Sequence, residues 1–269
     1  MTIMQNFRIP KGAIKQADEI RKIEESCRIV ADTLSLVEKY VVPGVETIEL
    51  DKIAEDYIRS KGGIPAFKGY GPSNNPFPNS LCISVNEVII HGIPGNRKLK
   101  DGDIVSVDCG VLKNEYYGDS ATTFSVGLLS KEDEELLETT QNALEIGIAN
   151  AVHQNKVYDI AGSIQSYVES KGYSLTREFT GHGLGKSLHE YPSVPNFVPP
   201  LLQRKSMPNA TLLNNMVIAI EPMVHIGNKA IDVLKDGWTV VTKDRKKAAH
   251  FEHTVMIDGN KAVIFTLRS

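Results

Sequence analysis

Four carboxylates and one imidazole carry the chemistry this sequence could do. Asp108 and Glu221 each close a short apolar run, Ile104-Val105-Ser106-Val107 and Val217-Ile218-Ala219-Ile220. Asp119 and Glu252 each open the way into another, Thr123 to Val126 and Thr254 to Ile257. A carboxylate next to a buried strand is costly to keep ionised unless a cation or hydrogen bonds compensate it. Four together repel one another, and several would take up protons unless divalent cations shared between them held all four ionised. A fifth donor is His182 in Gly181-His182-Gly183-Leu184-Gly185, where the glycines permit unusual backbone angles and close approach of other groups. Such an oxygen-rich set suits Mn, Fe(II), Co or Zn better than a metal that prefers thiolates. Two ions sharing a water lower its pKa and polarise a peptide carbonyl, which is peptide hydrolysis without a protein nucleophile. His91 and His189 are placed to donate hydrogen bonds to the tetrahedral oxygen or the leaving nitrogen, although a lone histidine is more often structural.

Other designs lack their signatures. The glycine run has neither a Gly-Lys-Ser or Gly-Lys-Thr ending nor the dinucleotide spacing, and there is no HExxH helix and no GxSxG turn. The 30 basic and 33 acidic residues give no electrostatic reason to expect a specific nucleic-acid or membrane partner. Cys27, Cys82 and Cys109 are odd in number and far apart, which fits reduced thiols in a cytosol. The stretch Met1 to Ile20 is too broken by Arg8, Pro10, Lys11, Lys15 and Asp18 to be a signal core, and no later segment resembles a membrane span.

The elements that must position these residues follow from periodicity. Helices are expected over Ala17 to Tyr40, with Ile20, Ile23, Cys27, Val30, Leu34 and Val37 on one face, and over Thr47 to Lys61, stopped by Gly62-Gly63. A Gly/Pro/Ser/Asn-rich loop from Gly69 to Ser80 leads into strands at Leu81 to Val85, Val88 to Ile90 and Ile104 to Val107. Helices recur from Ser130 to Val152 and from Val157 to Lys171, and strands at Met216 to Ile220, Thr239 to Val241 and Thr254 to Ile257. The order therefore repeats. Tyr57 to Gly62 (Tyr-Ile-Arg-Ser-Lys-Gly) matches Tyr167 to Gly172 (Tyr-Val-Glu-Ser-Lys-Gly), and the strand ending on Asp108 matches the one ending on Glu221. Two halves, roughly 17–127 and 130–265, within a single catalytic domain 1–269 would bring the four acids together where they meet.

These motifs resemble the type I methionine aminopeptidases over nearly the whole chain. The resemblance rests on Asn86-Glu87-Val88 through His91-Gly92-Ile93-Pro94, Asp101-Gly102-Asp103 through Asp108, Gly118-Asp119, Gly181-His182-Gly183, Glu221-Pro222 and Glu252-His253-Thr254. It implies a pseudo-symmetric α/β (α+β) "pita bread" fold, with helices packed on a curved antiparallel sheet. It also implies two divalent metal ions (Fe2+, Mn2+, Co2+ or Zn2+): Asp108 on one, His182 and Glu221 on the other, Asp119 and Glu252 bridging. Glu221 would handle the proton of the attacking water, and His91 and His189 would face the substrate. Tyr70, Phe77, Cys82 and Trp238 match or lie near positions that line the methionine pocket. The implied activity is removal of the initiator methionine from nascent polypeptide N-termini with a small second residue, by a cytoplasmic monomer that touches the ribosome transiently.

Several positions depart from the family. The loop Gly71 to Pro78 is longer than usual and carries Phe77 where tyrosine is common, His250 stands where glutamine is frequent, and Gly110 replaces a threonine. Two rivals share the fold. Proline-specific aminopeptidases and dipeptidases usually carry a large extra amino-terminal domain, for which the fewer than 110 residues before Asp108 leave no room. Non-catalytic binding proteins of ribosomes or nucleic acid typically lose metal ligands, and this chain keeps every candidate.

Overall fold

The computed structural model describes residues 9–268, so the first eight residues of the Met1 to Ile20 stretch, Arg8 among them, lie outside the described residues. The first half opens with α1 (Ala17–Glu38) and α2 (Thr47–Ser60). On α1, Ile23, Cys27, Val30, Leu34 and Val37 are buried at alternating spacings of four and three, the stripe of a helix lying on a sheet. That sheet contains β1 (Ile64–Pro65), β2 (Leu81–Val85), β4 (Ile104–Lys113) and β5 (Tyr116–Ser125), in the order β1-β4-β2 with β5 on the other side of β4; β3 (Val88–Ile90) lies apart. Buried Asp51 of α2 fixes the entry into β2, accepting the Ser80 and Leu81 N–H groups at 2.9 and 2.8 Å and the Asn79 amide at 2.9 Å.

The second half repeats the plan with α3 (Lys131–Ala149) and α4 (Val157–Ser170). Ser130 caps α3, its hydroxyl accepting the Asp133 N–H at 3.2 Å. The strands that follow are β6 (Ser174–Leu175), β7 (Gly181–Gly183), β8 (Glu190–Val194), β9 (Val217–Ile220), β10 (Met223–His225), β11 (Ile231–Val233), β12 (Val240–Thr242), β13 (Ala248–His250), β14 (His253–Asp258) and β15 (Lys261–Ile264). They form an antiparallel sheet β15-β14-β9-β7-β8 and two three-stranded sheets, β13-β10-β6 and β11-β12-β3. Each half has its own core: Leu34, Leu50, Ile58, Leu81 and Val107 in the first, Leu136, Ile160, Ile164, Ile218 and Val255 in the second. The sequence match at the ends of α2 and α4 is also a structural one. Gly62 and Gly172 both take left-handed φ, at 73° and 83°, and Lys61 and Lys171 lie over Tyr57 and Tyr167 at 5.1 and 5.7 Å.

The halves meet along β5 and β14. The Glu252 N–H donates to the Ala121 carbonyl at 2.9 Å and the Thr254 hydroxyl to the Asp119 carbonyl at 2.7 Å. These two bonds, one between backbone groups and one from a side-chain hydroxyl, fix the strands of Asp119 and Glu252 against each other.

The structure corrects the expected strand ends in the first half. Asp108 and Asp119 sit in the middle of ten-residue strands, because β4 and β5 pair continuously from Ile104↔Ser125 to Lys113↔Tyr116. The connecting turn is Asn114-Glu115, both at positive φ (50° and 69°), the geometry of a tight hairpin without its usual glycine. Glu221 does follow β9 directly, and Glu252 immediately precedes β14. All four helices stop one to three residues short of their expected ends: α1 at Glu38, α2 at Ser60, α3 at Ala149 and α4 at Ser170.

Candidate metal centre

Asp108 and Asp119 project from adjacent strands, Gly110 opposing Asp119 and Ala121 opposing Asp108 across the β4–β5 ladder. His182 comes from β7, whose neighbours press closely on both its glycines. A Cβ on Gly181 would run into the Ala219 carbonyl oxygen, and one on Gly183 into that of Tyr191. Neither glycine has a positive φ, so they serve close strand approach and not unusual backbone angles.

Asp119, His182 and Glu252 each offer a ligand atom, all within 4.8 Å of one another. His182 Nε2 is 3.9 Å from Asp119 Oδ2 and 3.7 Å from Glu221 Oε1. Two donors that share an ion through bonds of about 2.0–2.2 Å are separated by roughly 3 to 4 Å, so these gaps fit an intervening cation. Asp108 Oδ1, Asp119 Oδ1 and Glu252 Oε1 are buried and lack hydrogen-bond partners among the described residues. Burial pushes the Asp108 carboxyl up to about 7, and burial reinforced by neighbouring acids holds Asp119, Glu221 and Glu252 well above the carboxylate range. Orphaned acceptors that resist ionisation are what a set of metal ligands looks like without compensating charge. Burial lowers His182 to about 3, keeping the imidazole in the neutral form that ligates.

A cavity of about 150 Å³ joins this cluster to an apolar wall. That is well below the roughly 300–1,000 Å³ of a drug-sized site and suits a single side chain. All eleven residues singled out in the sequence border it: the four acids and the imidazole His182, His91 and His189, and Tyr70, Phe77, Cys82 and Trp238. His91 sits at φ 56° with its ring edge-on to Phe179 and Trp238, at 5.4 and 6.2 Å. Burial lowers it to about 4. His189 Nδ1 pairs with the Tyr70 hydroxyl at 2.8 Å. With that O–H donating, the ring proton sits on Nε2, which is then the nitrogen left for a ligand. Cys82 and Phe77 are buried, and burial raises the Cys82 thiol, so it acts as a small polarisable apolar group.

Phe67, Ile90, Phe179, Thr180 and Leu188 also border the cavity. Sequence reasoning passed over them, though four adjoin marked motifs: Ile90 precedes His91, Leu188 precedes His189, and Phe179-Thr180 precede Gly181. Phe67 carried no signal. It packs where a Cβ on Gly110 would be, 2.7 Å from Phe67 Cε1, so the glycine in place of threonine makes room for that ring. The longer loop leans on Trp238: its Nε1 donates to the Asn75 carbonyl at 3.1 Å, and the Asn75 amide donates to the Asp236 carbonyl at 2.9 Å. Buried His250 has both ring nitrogens unpaired among the described residues and places Nε2 4.0 Å from Glu221 Oε2.

Residues 21–259 match the model of metallopeptidase family M24. The chain belongs to that family. Within it, the chain falls among the methionine aminopeptidases. It is 48% identical over 255 residues to the methionine aminopeptidase of Clostridium perfringens, covering 94% of this chain and 98% of that one. To methionine aminopeptidase 1 of Bacillus subtilis it is 47% identical over 243 residues, covering 90% and 94%. The crystal structure of the Thermotoga maritima methionine aminopeptidase superposes with a TM-score of 0.88 at 38% identity, over 95% of this chain and 99% of that one. The fold is the pita-bread fold. A prolidase from Pyrococcus furiosus shares it at 21% identity and a TM-score of 0.74, with this chain covering 66% of its length. As an M24 metallopeptidase the chain is a metal-dependent peptidase, and the donor set described above fits that requirement. Among the described residues no helix is long and apolar enough to cross a membrane.

Proposed function

We propose that this enzyme removes N-terminal methionine from peptides and nascent chains whose second residue is small. The observation that carries the reading is the junction of a cluster of four acids and a neutral imidazole with a side-chain-sized apolar cavity. Asp108, Asp119, His182, Glu221 and Glu252 would hold two divalent ions, and the oxygen-rich set favours Mn, Fe(II), Co or Zn. When bound, such ions supply Lewis acidity that lowers the pKa of water and polarises a carbonyl. Glu221 takes and returns the proton of the attacking water. His91 and His189, neutral and beside the cluster, donate to the developing oxyanion and to the leaving nitrogen. Tyr70 orients His189, while Phe77, Cys82 and Trp238 receive the methionine side chain. In this proposal residues 1–269 act as one catalytic domain, to which the halves 17–127 and 130–265 contribute two and three ligands. The enzyme works as a cytoplasmic monomer that meets its substrates at the ribosome.

The test compares Met-Ala-Ser, Met-Lys-Ser and Ala-Pro-Ser peptides with Mn-, Co- or Fe(II)-loaded protein. Rapid cleavage of the first and slow cleavage of the second is expected, because bulk next to the scissile bond displaces it from attack geometry between the metals and the two histidines. Preference for Ala-Pro-Ser would reassign the enzyme to the proline-specific members of the fold. No hydrolysis with any metal would make it a binding protein.

A further inference from the structure

An ion pair between buried Lys15 and half-buried Glu190 lies outside the metal cluster, behind the segment that carries His189. Lys15 is 4% exposed, unusually low for lysine. Its Nζ donates to Glu190 Oε2 at 2.6 Å and to the Gly12 carbonyl at 2.7 Å. The second carboxylate oxygen, Oε1, accepts the Ser187 N–H at 2.9 Å. Glu190 therefore closes the turn 187–190 across Leu188 and His189, two residues that border the cavity. Gly185 leaves the space the lysine needs, since a Cβ there would collide with Nζ and lie 2.9 Å from both Glu190 oxygens. Lys15 is in turn held by the main chain: its N–H donates to the Asn215 carbonyl at 2.9 Å, and Ile14 bridges to Met216, one residue before β9 begins. Because β9 ends next to Glu221, the segment before α1 is tied both to the His189 turn and to the strand that delivers Glu221.

We infer that Lys15 is a positioning residue for the reaction, holding His189 at working distance from the metal cluster through Glu190. The pair lines a separate cavity, and among the described residues its side-chain hydrogen bonds go to the Gly12 carbonyl and to the Ser187 N–H of the 187–190 turn. A pair of this kind fixes geometry more than it adds stability, because desolvating both charges offsets their attraction. This inference rests on the proposed role of His189.

The experiment is a double-mutant cycle on metal-loaded enzyme with Met-Ala-Ser. Lys15→Met paired with Glu190→Met leaves no uncompensated charge and removes both the lysine contact and the acceptor of the Ser187 N–H, so the fold survives while the clamp is gone. Misplacing a group by about 1 Å costs up to about 100-fold, so kcat should fall about 10- to 100-fold with metal stoichiometry unchanged and KM altered far less. Lys15→Arg should recover most of that rate. In a His189→Ala background the same clamp substitutions should cost less than about threefold, because nothing remains to be positioned. Equal losses in both backgrounds, or no loss in the first, would overturn the inference. Should the wild type fail to cleave the peptide, the proposed activity falls by itself. The clamp is then read in metal-free protein from the 15N-labelled His189 ring: a displaced resonance in the paired variant supports it, and an unchanged one removes it.

Discussion

Removing and restoring the metals at controlled pH tests the centre most directly. Asp108, whose usual value is 3.8, is pushed by burial up to about 7 without bound metal, and Asp119, Glu221 and Glu252 are raised as well. At pH 6 the metal-free native protein therefore holds protons on this cluster that the unfolded chain has lost. Native-state binding exceeds unfolded-state binding, so this cluster's contribution to stability falls as pH rises from about 4 through 7. For Asp108 alone the shift of about three units corresponds to roughly 4 kcal/mol by neutral pH. Metal ligation requires the ionised carboxylates, so loading at pH 6 must expel protons. His182, lowered to about 3, is already neutral and contributes none. Calorimetric titration of chelator-treated protein with Mn or Co, in two buffers of different ionisation enthalpy, should give at least about one proton released per loaded centre at pH 6. The gap in unfolding free energy between loaded and metal-free protein should widen with pH by about 1.4 kcal/mol per unit for each proton released. Release near zero at pH 6 would show that the four acids are not the ligands.

Three further outcomes follow from individual contacts. Asp119→Asn should weaken both ions together, since in the proposed site it bridges them and its ligand atom lies within 4.8 Å of those of His182 and Glu252; full metal stoichiometry and near-normal turnover would remove it from a bridging position. His189→Ala should lower turnover about 10- to 1000-fold while both ions stay bound, and loss of metal from a folded variant would make His189 a ligand instead. Asn75→Ala should raise KM about fivefold, the worth of one hydrogen bond of about 1 kcal/mol, with kcat nearly unchanged; an unaltered KM would mean that the long loop does not hold Trp238 over the cavity.

The candidate ligands were legible in the sequence because their cost is local. A carboxylate beside an apolar run demands compensation wherever the run ends up, and the strand-turn pattern around Asp108, Asp119, Glu221 and Glu252 repeats closely enough to pair them before any contact is known. His182 was legible through its glycines, although the structure gives those glycines a different task, admitting the carbonyls of neighbouring strands. The strand limits around Asp108 and Asp119 were not legible, because Asn114-Glu115 makes a hairpin without the glycine that would announce it. Phe67 was silent for another reason: an aromatic ring in a loop has no period, and its place over Gly110 is set by residues some forty positions away. The Lys15–Glu190 pair joins positions 175 apart, with each residue ordinary in its own segment, a surface-type lysine before a helix and a glutamate after a histidine. Side chains that are costly in their own segment can be read along the chain, whereas pairs whose members are each ordinary locally become visible only once the chain has closed on itself. By the inference above such a pair positions His189, so variants that change the rate without touching a candidate ligand should be sought at such pairs, with Lys15 and Glu190 the first to test.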